Sequence, residues 1–311
     1  MPAAVRAFRA MGTDCEVTCY APDGAAEALV GIAASRVEIL EDCWSRFRPL
    51  SELNRLNNRA GTGPVACSPD LMLLVTTMRA AWEFTGGLFD PTILASIKAA
   101  GYDADFASVI ARSAIESSTV SCEFGRAPGM AGIVIDAVAR TIDLPAGVGI
   151  DPGAIGKGLA ADVIVDEITA AGAHGVLVNL GGDVAFAGRP GSDPAWLVAI
   201  EDERVSADAP DRLIRVLEFD HTVERGAVAT STTLKRRWGN GRHHLIDPLT
   251  GGIANPDLVQ ATVVDDRGWR AEAAATAALL MGSGRAPAWL DEHDLVSVLL
   301  TADDMVGAIR G

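Results

Sequence analysis

The 311-residue chain is poor in aromatic side chains, with six Trp, two Tyr and eight Phe, and its charge leans to one sign, 26 Lys and Arg against 41 Asp and Glu. Its five cysteines, Cys15, Cys19, Cys43, Cys67 and Cys122, include no CxxC pair. An odd, sparse set excludes a disulfide-dense scaffold and predicts reduced thiols. The formal charge of −15 excludes binding a polyanion through bulk electrostatics, so no nucleic-acid partner is expected. A phosphate-bearing ligand then has to be held locally, by backbone amides, a metal or one well-placed cation. No apolar run approaches the roughly 20 residues that span a bilayer, so membrane insertion is not expected. Arg6, Arg9, Asp14 and Glu16 interrupt the N-terminal stretch where an export signal needs continuous apolar residues, which predicts a cytoplasmic protein. HExxH, GxSxG and EF-hand patterns are missing, so zinc hydrolase, serine hydrolase and calcium-sensor readings have no support.

What is present is ample apolar material, 49% of residues, enough for a folded core. Apolar residues from Gly24 to Phe47 recur at helical steps, and a second helical pattern covers Asp70 to Phe84, with Ser68 as cap and Gly86-Gly87 as stop. The middle of the chain changes to short β-branched runs, GIVID, TIDL, VLVNL, WLVAI and LIRVLEF, which read as strands. Helices are expected over Gly158 to Ala171 and Trp269 to Met281, the latter after the strand-like VQATVVD. Helix-rich sequence followed by mixed β predicts an α+β fold. Residues 192–194 and 207–211 read as loops, and no linker divides the chain, so a single domain over 1–311 is expected.

Four segments carry chemistry. Asp151 to Asp162, DPGAIGKGLAAD, sets three glycines around Lys157 at a predicted helix start, where free amides and one cation can meet an anion. It is no Walker A loop, because Gly158 follows the lysine; it matches GxGxxA loosely at Gly156, Gly158 and Ala161, which would admit a nicotinamide-dinucleotide fold. An exposed lysine at a glycine-rich helix entry gives the same pattern. LVNLGGD ends at Asp183, either a ligand contact or ordinary turn chemistry. His244 stands three residues before Asp247-Pro248, placed as a general base or as a structural hydrogen-bonding group. Glu272 and Thr276, at i and i+4, share a helix face and offer oxygens to a hard cation, unless the helix is simply an Ala-rich buried one.

Taken in order, Met11-Gly12-Thr13, SRFRPLSELNRLN, GLFDPT, DPGAIGKG, LVNLGGD, VATSTTLKRRW, HHLIDPLTG and AEAAATAALLMG resemble the ApbE family of FAD:protein FMN transferases, over about Met11 to Gly282. The resemblance implies a single α+β, T-fold-like unit of mixed or antiparallel sheets with flanking helices and an FAD site between two lobes. It implies transfer of FMN from FAD, the substrate, to a threonine hydroxyl of an acceptor flavoprotein, with Mg²⁺ and release of AMP. By motif, Met11, Phe47, Leu88, Phe89, Asp90, Asp151, Lys157 and Ile246 would line FAD. The metal would be held by the backbone carbonyl of Ala154 and the side chains of Glu272 and Thr276, with His244 as base and Lys157 at the diphosphate. FAD hydrolysis by water and flavin binding without catalysis are the alternatives. Two positions depart from the family's usual pattern. Glu272 replaces an aspartate, so the longer carboxylate has to re-aim, and Ser231-Thr232 replaces Ser-Gly.

Overall fold

The structure is a computed structural model that describes residues 3–22, 24–113, 125–206, 209 and 212–307. Cys122 and most of the expected 207–211 loop lie outside these residues. Packing divides the chain into two compact units, one from Met1–Ile39, Ile155–Thr232 and Asp257–Gly311, the other from Leu40–Ala154 and Thr233–Pro256. Each is discontinuous in sequence, which is why no linker stands out in the composition.

The first unit is built on an eight-stranded sheet in the order Ala3–Ala10, Thr13–Tyr20, Gly175–Leu180, Asp183–Gly188, Arg225–Thr232, Leu258–Asp265, Val296–Thr301, Met305–Gly307. Every strand pair among the described residues is antiparallel. This confirms the α+β expectation and removes the nicotinamide-dinucleotide reading of the GxGxxA match, which needs a regular parallel sheet. The helices Gly156–Ala170 and Gly268–Met281 pack on the central strands and on each other. A separate hairpin, Ala195–Glu201 with Leu213–Asp220, buries Val198, Ile200 and Leu217 against Val184, Val228, Val298 and Leu300. Strand alternation turns Ala227 and Ala229 away from that hairpin, and small residues there suit the close approach of the Ala-rich helix.

Gly181-Gly182 form the tight turn between the strands Gly175–Leu180 and Asp183–Gly188, both with positive φ. The N-terminal hairpin turns at Met11-Gly12, with φ of 51° and 70°. The two turns lie against each other. Gly181 N–H donates to the Asp14 carbonyl at 3.0 Å, and a Cβ at Gly181 would sit 2.2 Å from Thr13 Oγ1.

The second unit has the helices Glu52–Asn57, Pro69–Phe84, Leu94–Ala99 and Phe106–Ser113, with a three-stranded sheet of Val65–Ala66, Thr141–Asp143 and Val134–Asp136. Ser68 caps Pro69–Phe84 by accepting from Leu71 N–H. A small hairpin, Arg237–Trp238 with Arg242–His243, leads into the turn at Asp247. Its core gathers Ile97, Ala100, Tyr102, Val109, Trp238 and Ile246. The described cysteines are free, and burial pushes the Cys19 and Cys67 thiols up to about 11 and Cys43 up to about 12. At neutral pH these three are inert thiols.

Candidate functional site

The residues singled out in the sequence fall into two clusters, one in each unit. In the first unit, Lys157 occupies the first turn of the Gly156–Ala170 helix, so the glycine run opens the helix two residues earlier than the expected start at Gly158. Its ammonium pairs with the Asp183 carboxylate and lies 3.6 Å from Glu272 Oε1. The lysine side chain is 26% exposed, while those of Asp183 and Glu272 are 3% and 5% exposed. Lys157 is therefore no surface lysine: one ammonium faces two buried carboxylates, and the cluster keeps a net charge of −1 with both acids ionised.

Hydrogen bonds fix this arrangement. Asp183 Oδ1 accepts from Thr230 N–H at 3.2 Å, and Glu272 Oε2 accepts from Gly158 N–H at 2.8 Å. Thr276, one turn after Glu272 on the same helix, shares a 2.8 Å hydroxyl hydrogen bond with Ser231 of the Arg225–Thr232 strand. The helix is an Ala-rich buried one, and Glu272 and Thr276 are buried with it, so its polar pair faces inward. The cluster offers hard oxygens, carboxylate and hydroxyl, of the kind Mg²⁺ prefers. Among the described residues no three His, Cys, Asp or Glu side chains gather into a metal-binding group. A set of one carboxylate, one hydroxyl and one carbonyl is not of that kind. Met11 belongs to this unit, at the turn packed beside Gly181 and hence two residues from Asp183.

In the second unit, Asp151 and Arg46 form an ion pair, Nε to Oδ2 at 2.7 Å, with both side chains about 5% exposed or less. The same guanidinium lies 4.0 Å from the Phe47 ring centroid and 4.5 Å from that of Tyr102, and donates to the Tyr102 carbonyl at 2.8 Å. A buried arginine that is paired, stacked and hydrogen-bonded is a rigid support. Phe47 remains 37% exposed above it. Asp151 N–H donates to the Pro91 carbonyl at 2.8 Å, tying this segment to Leu88-Phe89-Asp90. Asp90 accepts from Thr92 N–H and Oγ1, at 2.9 and 2.6 Å, and burial pushes its pKa up. Leu88 is half-buried and Phe89 buried.

Ile246 joins the Tyr102 and Trp238 core and bridges Ile253, which anchors the segment carrying His244. His244 is half-buried. Its neighbour His243 is buried instead, accepts from Leu245 N–H at 3.3 Å, and has its pKa lowered by burial and then by Arg237. The two adjacent histidines are thus separated by environment. Ala154 holds φ of 65°, a left-handed backbone without glycine. Such a conformation persists only where surrounding structure enforces it, and here Gly153 N–H donates to Asp151 Oδ1 at 2.6 Å just before it.

The structure thus groups Lys157, Glu272 and Thr276 in one unit, and Phe47, Asp90, Asp151 and Ile246 in the other. The sequence reading did not single out Arg46 as the partner of Asp151 or Ser231 as the partner of Thr276. Neither pair has a local signal, since the members lie far apart in the chain.

Comparison with known proteins gives these clusters a context. A family model, the ApbE family, matches residues 11–300. The FAD:protein FMN transferase of Treponema pallidum is 31% identical over 96% of this chain and 84% of its own length. That of Rhodobacter capsulatus is 29% identical over 96% of this chain, which spans only 55% of that relative. Among solved structures, the ApbE protein of Thermotoga maritima superposes with a TM-score of 0.81 over 99% of this chain and 97% of that one, at 19% identity, a likeness of fold. With the match running through both units and all the segments just described, the chain belongs to the ApbE family.

Proposed function

We propose that this protein is a flavin transferase that moves FMN from FAD onto a threonine hydroxyl of an acceptor flavoprotein, with release of AMP and with Mg²⁺ at the diphosphate. The activity named for its relatives supports the reading, and the observation that carries it within the chain is the buried Lys157–Asp183–Glu272 cluster. Two desolvated carboxylates against one ammonium leave negative charge to be matched by a further cation, and their hard oxygens fit Mg²⁺. The Ala154 carbonyl, Glu272 and Thr276 would hold that ion. When bound, it would supply charge neutralisation at the diphosphate.

The chain's own residues supply the rest. Lys157, at a helix start where backbone amides point outward, adds a positive charge to hold the diphosphate. Its pairing with Asp183 fixes the ammonium before substrate arrives, so little reorganisation is needed during reaction. Met11, Phe47 and Leu88 keep accessible apolar surface for the flavin dinucleotide. Phe89, Asp90, Asp151 and Ile246 are buried and shape its walls through the segments they anchor. His244 takes the proton from the acceptor threonine hydroxyl as its oxygen attacks phosphorus.

The test is incubation of the protein with FAD, Mg²⁺ and candidate acceptor flavoproteins, read by intact mass. The expected product is an acceptor heavier by one FMN unit, lost when its target threonine is changed to alanine. His244→Ala should lower the transfer rate by about 100-fold or more, the usual worth of a general base, with FAD affinity nearly unchanged. Free FMN and AMP with no adduct on any acceptor would identify a hydrolase instead.

A further inference from the structure

The two helices that carry Lys157 and Glu272 share a device that neither the family match nor the proposed reaction assigns. Neither begins with a capping side chain of its own: Ile155 precedes one and Arg267 the other, and neither makes a side-chain cap. An uncapped helix start leaves orphan N–H groups that need acceptors. Here the acceptors come from the opposite helix. Asp162, on the Lys157 helix, accepts from Gly268 N–H through Oδ1 at 3.0 Å and from Trp269 N–H through Oδ2 at 3.1 Å. Glu272, on the other helix, accepts from Gly158 N–H through Oε2.

The sequence pattern is the same on both sides. Gly158 is followed four residues later by Asp162, and Gly268 four residues later by Glu272, so each helix presents a glycine and an acid on one face. The glycines are where the backbones touch. A Cβ on Gly158 would lie 2.3 Å from the Gly268 carbonyl oxygen, and a Cβ on Gly268 would lie 2.6 Å from the Gly158 carbonyl oxygen. Each acid reaches past this contact to the glycine amide of the other helix. Arg225 holds Asp162 from behind, Nη2 to Oδ1 at 2.6 Å.

We propose that Asp162 and Glu272 form a reciprocal clasp between the two helix starts, and that Asp162 is a positioning residue that sets Lys157 against Glu272 and Thr276. Asp162 touches none of the proposed ligands; it acts through Gly268 and Trp269 on the helix that carries Glu272 and Thr276. The clasp also accounts for a glutamate at 272, because the extra methylene lets one oxygen reach Gly158 N–H while the other faces Lys157. The effect on metal binding rests on the proposed function, whereas the clasp does not.

The experiment is amide hydrogen exchange by NMR on Asp162→Asn, together with Mn²⁺ binding by electron paramagnetic resonance. The isosteric amide removes the Arg225 charge pair and opposes an NH₂ to one of the two backbone donors. Exchange should rise at Gly268 and Trp269 by about fivefold or more, the worth of a lost cap, and it should also rise at Gly158 on the other side of the clasp. Mn²⁺ affinity should fall by a comparable factor. Acceleration confined to Gly268 and Trp269, with Gly158 and Mn²⁺ affinity unchanged, overturns the clasp and leaves Asp162 an ordinary local cap. Should Asp162→Asn fail to fold, Glu272→Asp carries the test in reverse: faster exchange at Gly268 and Trp269 supports the clasp, and faster exchange at Gly158 alone overturns it. Failure of the unaltered protein to bind Mn²⁺ or FAD would count against the proposed function without touching the amide result.

Discussion

Lys157 shows how much a side chain's meaning depends on partners that the local sequence does not display. The helix start at the glycine run and the shared face of Glu272 and Thr276 were legible. The burial of Asp183 was not, because a Gly-Gly-Asp turn is equally common at a surface. Arg46 was invisible for a related reason: in SRFRP nothing marks one arginine as enclosed and the other, Arg48, as open. A second residue-scale consequence concerns pH. Burial is the main cause that pushes the Asp265 carboxyl up to about 6, against its pairing with Arg270. The folded state then holds more protons than the unfolded chain between the ordinary aspartate value of 3.8 and about 6. Stability contributed by this group therefore falls as pH rises through that window and stays lower above it. Asp90 and Asp162, also shifted upward by burial, have the same sign. Asp265→Asn should thus lose less stability than the parent protein between pH 4.5 and 7, by at most about 2 kcal/mol, measured by urea unfolding at both pH values. An equal slope in the two proteins would refute it.

Elements were read most accurately where their ends carry chemistry. The helix Pro69–Phe84 was anticipated within one residue because Ser68 and Pro69 begin it and the Gly86-Gly87 pair follows it. The Gly181-Gly182 hairpin was legible for the same reason. The N-terminal hairpin was not anticipated, although Cys15, Val17 and Cys19 alternate as buried residues with Asp14, Glu16 and Thr18. Its first strand lies at the sheet edge, where only Ala4 and Ala10 are buried, so the alternation is faint there. Helix packing gives a sharper prediction. Alanine in place of Gly268 gains roughly 1 kcal/mol of helix propensity, but its methyl meets a backbone carbonyl of the neighbouring helix that cannot swing aside. Overpacking of this kind costs about 1–3 kcal/mol, so the clash wins. Gly268→Ala should lower the thermal midpoint, whereas Gly284→Ala, which meets no atom within 4 Å, should leave it unchanged. Equal midpoints for the two variants would refute the close helix contact.

At the scale of the whole molecule, the α+β class was legible because helical periodicity gives way to short β-branched runs. The division into two units was not, because each is assembled from chain segments far apart in sequence. The formal charge of −15 does not oppose a diphosphate ligand when the positive potential is local, from Lys157, a helix start and a divalent ion. Ligand linkage provides the global measurement. FAD with Mg²⁺, supplied at about 100 times its dissociation constant, should stabilise the folded protein by about 2.7 kcal/mol. That corresponds to a rise in thermal midpoint of roughly 4 °C for a chain of this size. The same FAD with a chelator in place of Mg²⁺ should give a smaller rise, and identical rises would argue against a metal at the diphosphate.

The left-handed backbone at Ala154 carries a cost that a glycine would not. A chain selected only for robustness would have glycine there, as at neighbouring Gly153 and Gly156. The methyl group narrows the range of peptide orientations open to residues 154 and 155, so the carbonyl between them points in a nearly fixed direction. Rigidity of the carbonyl proposed to hold the ion, obtained at the expense of thermodynamic ease, would suit a site that grips a small cation with little tolerance.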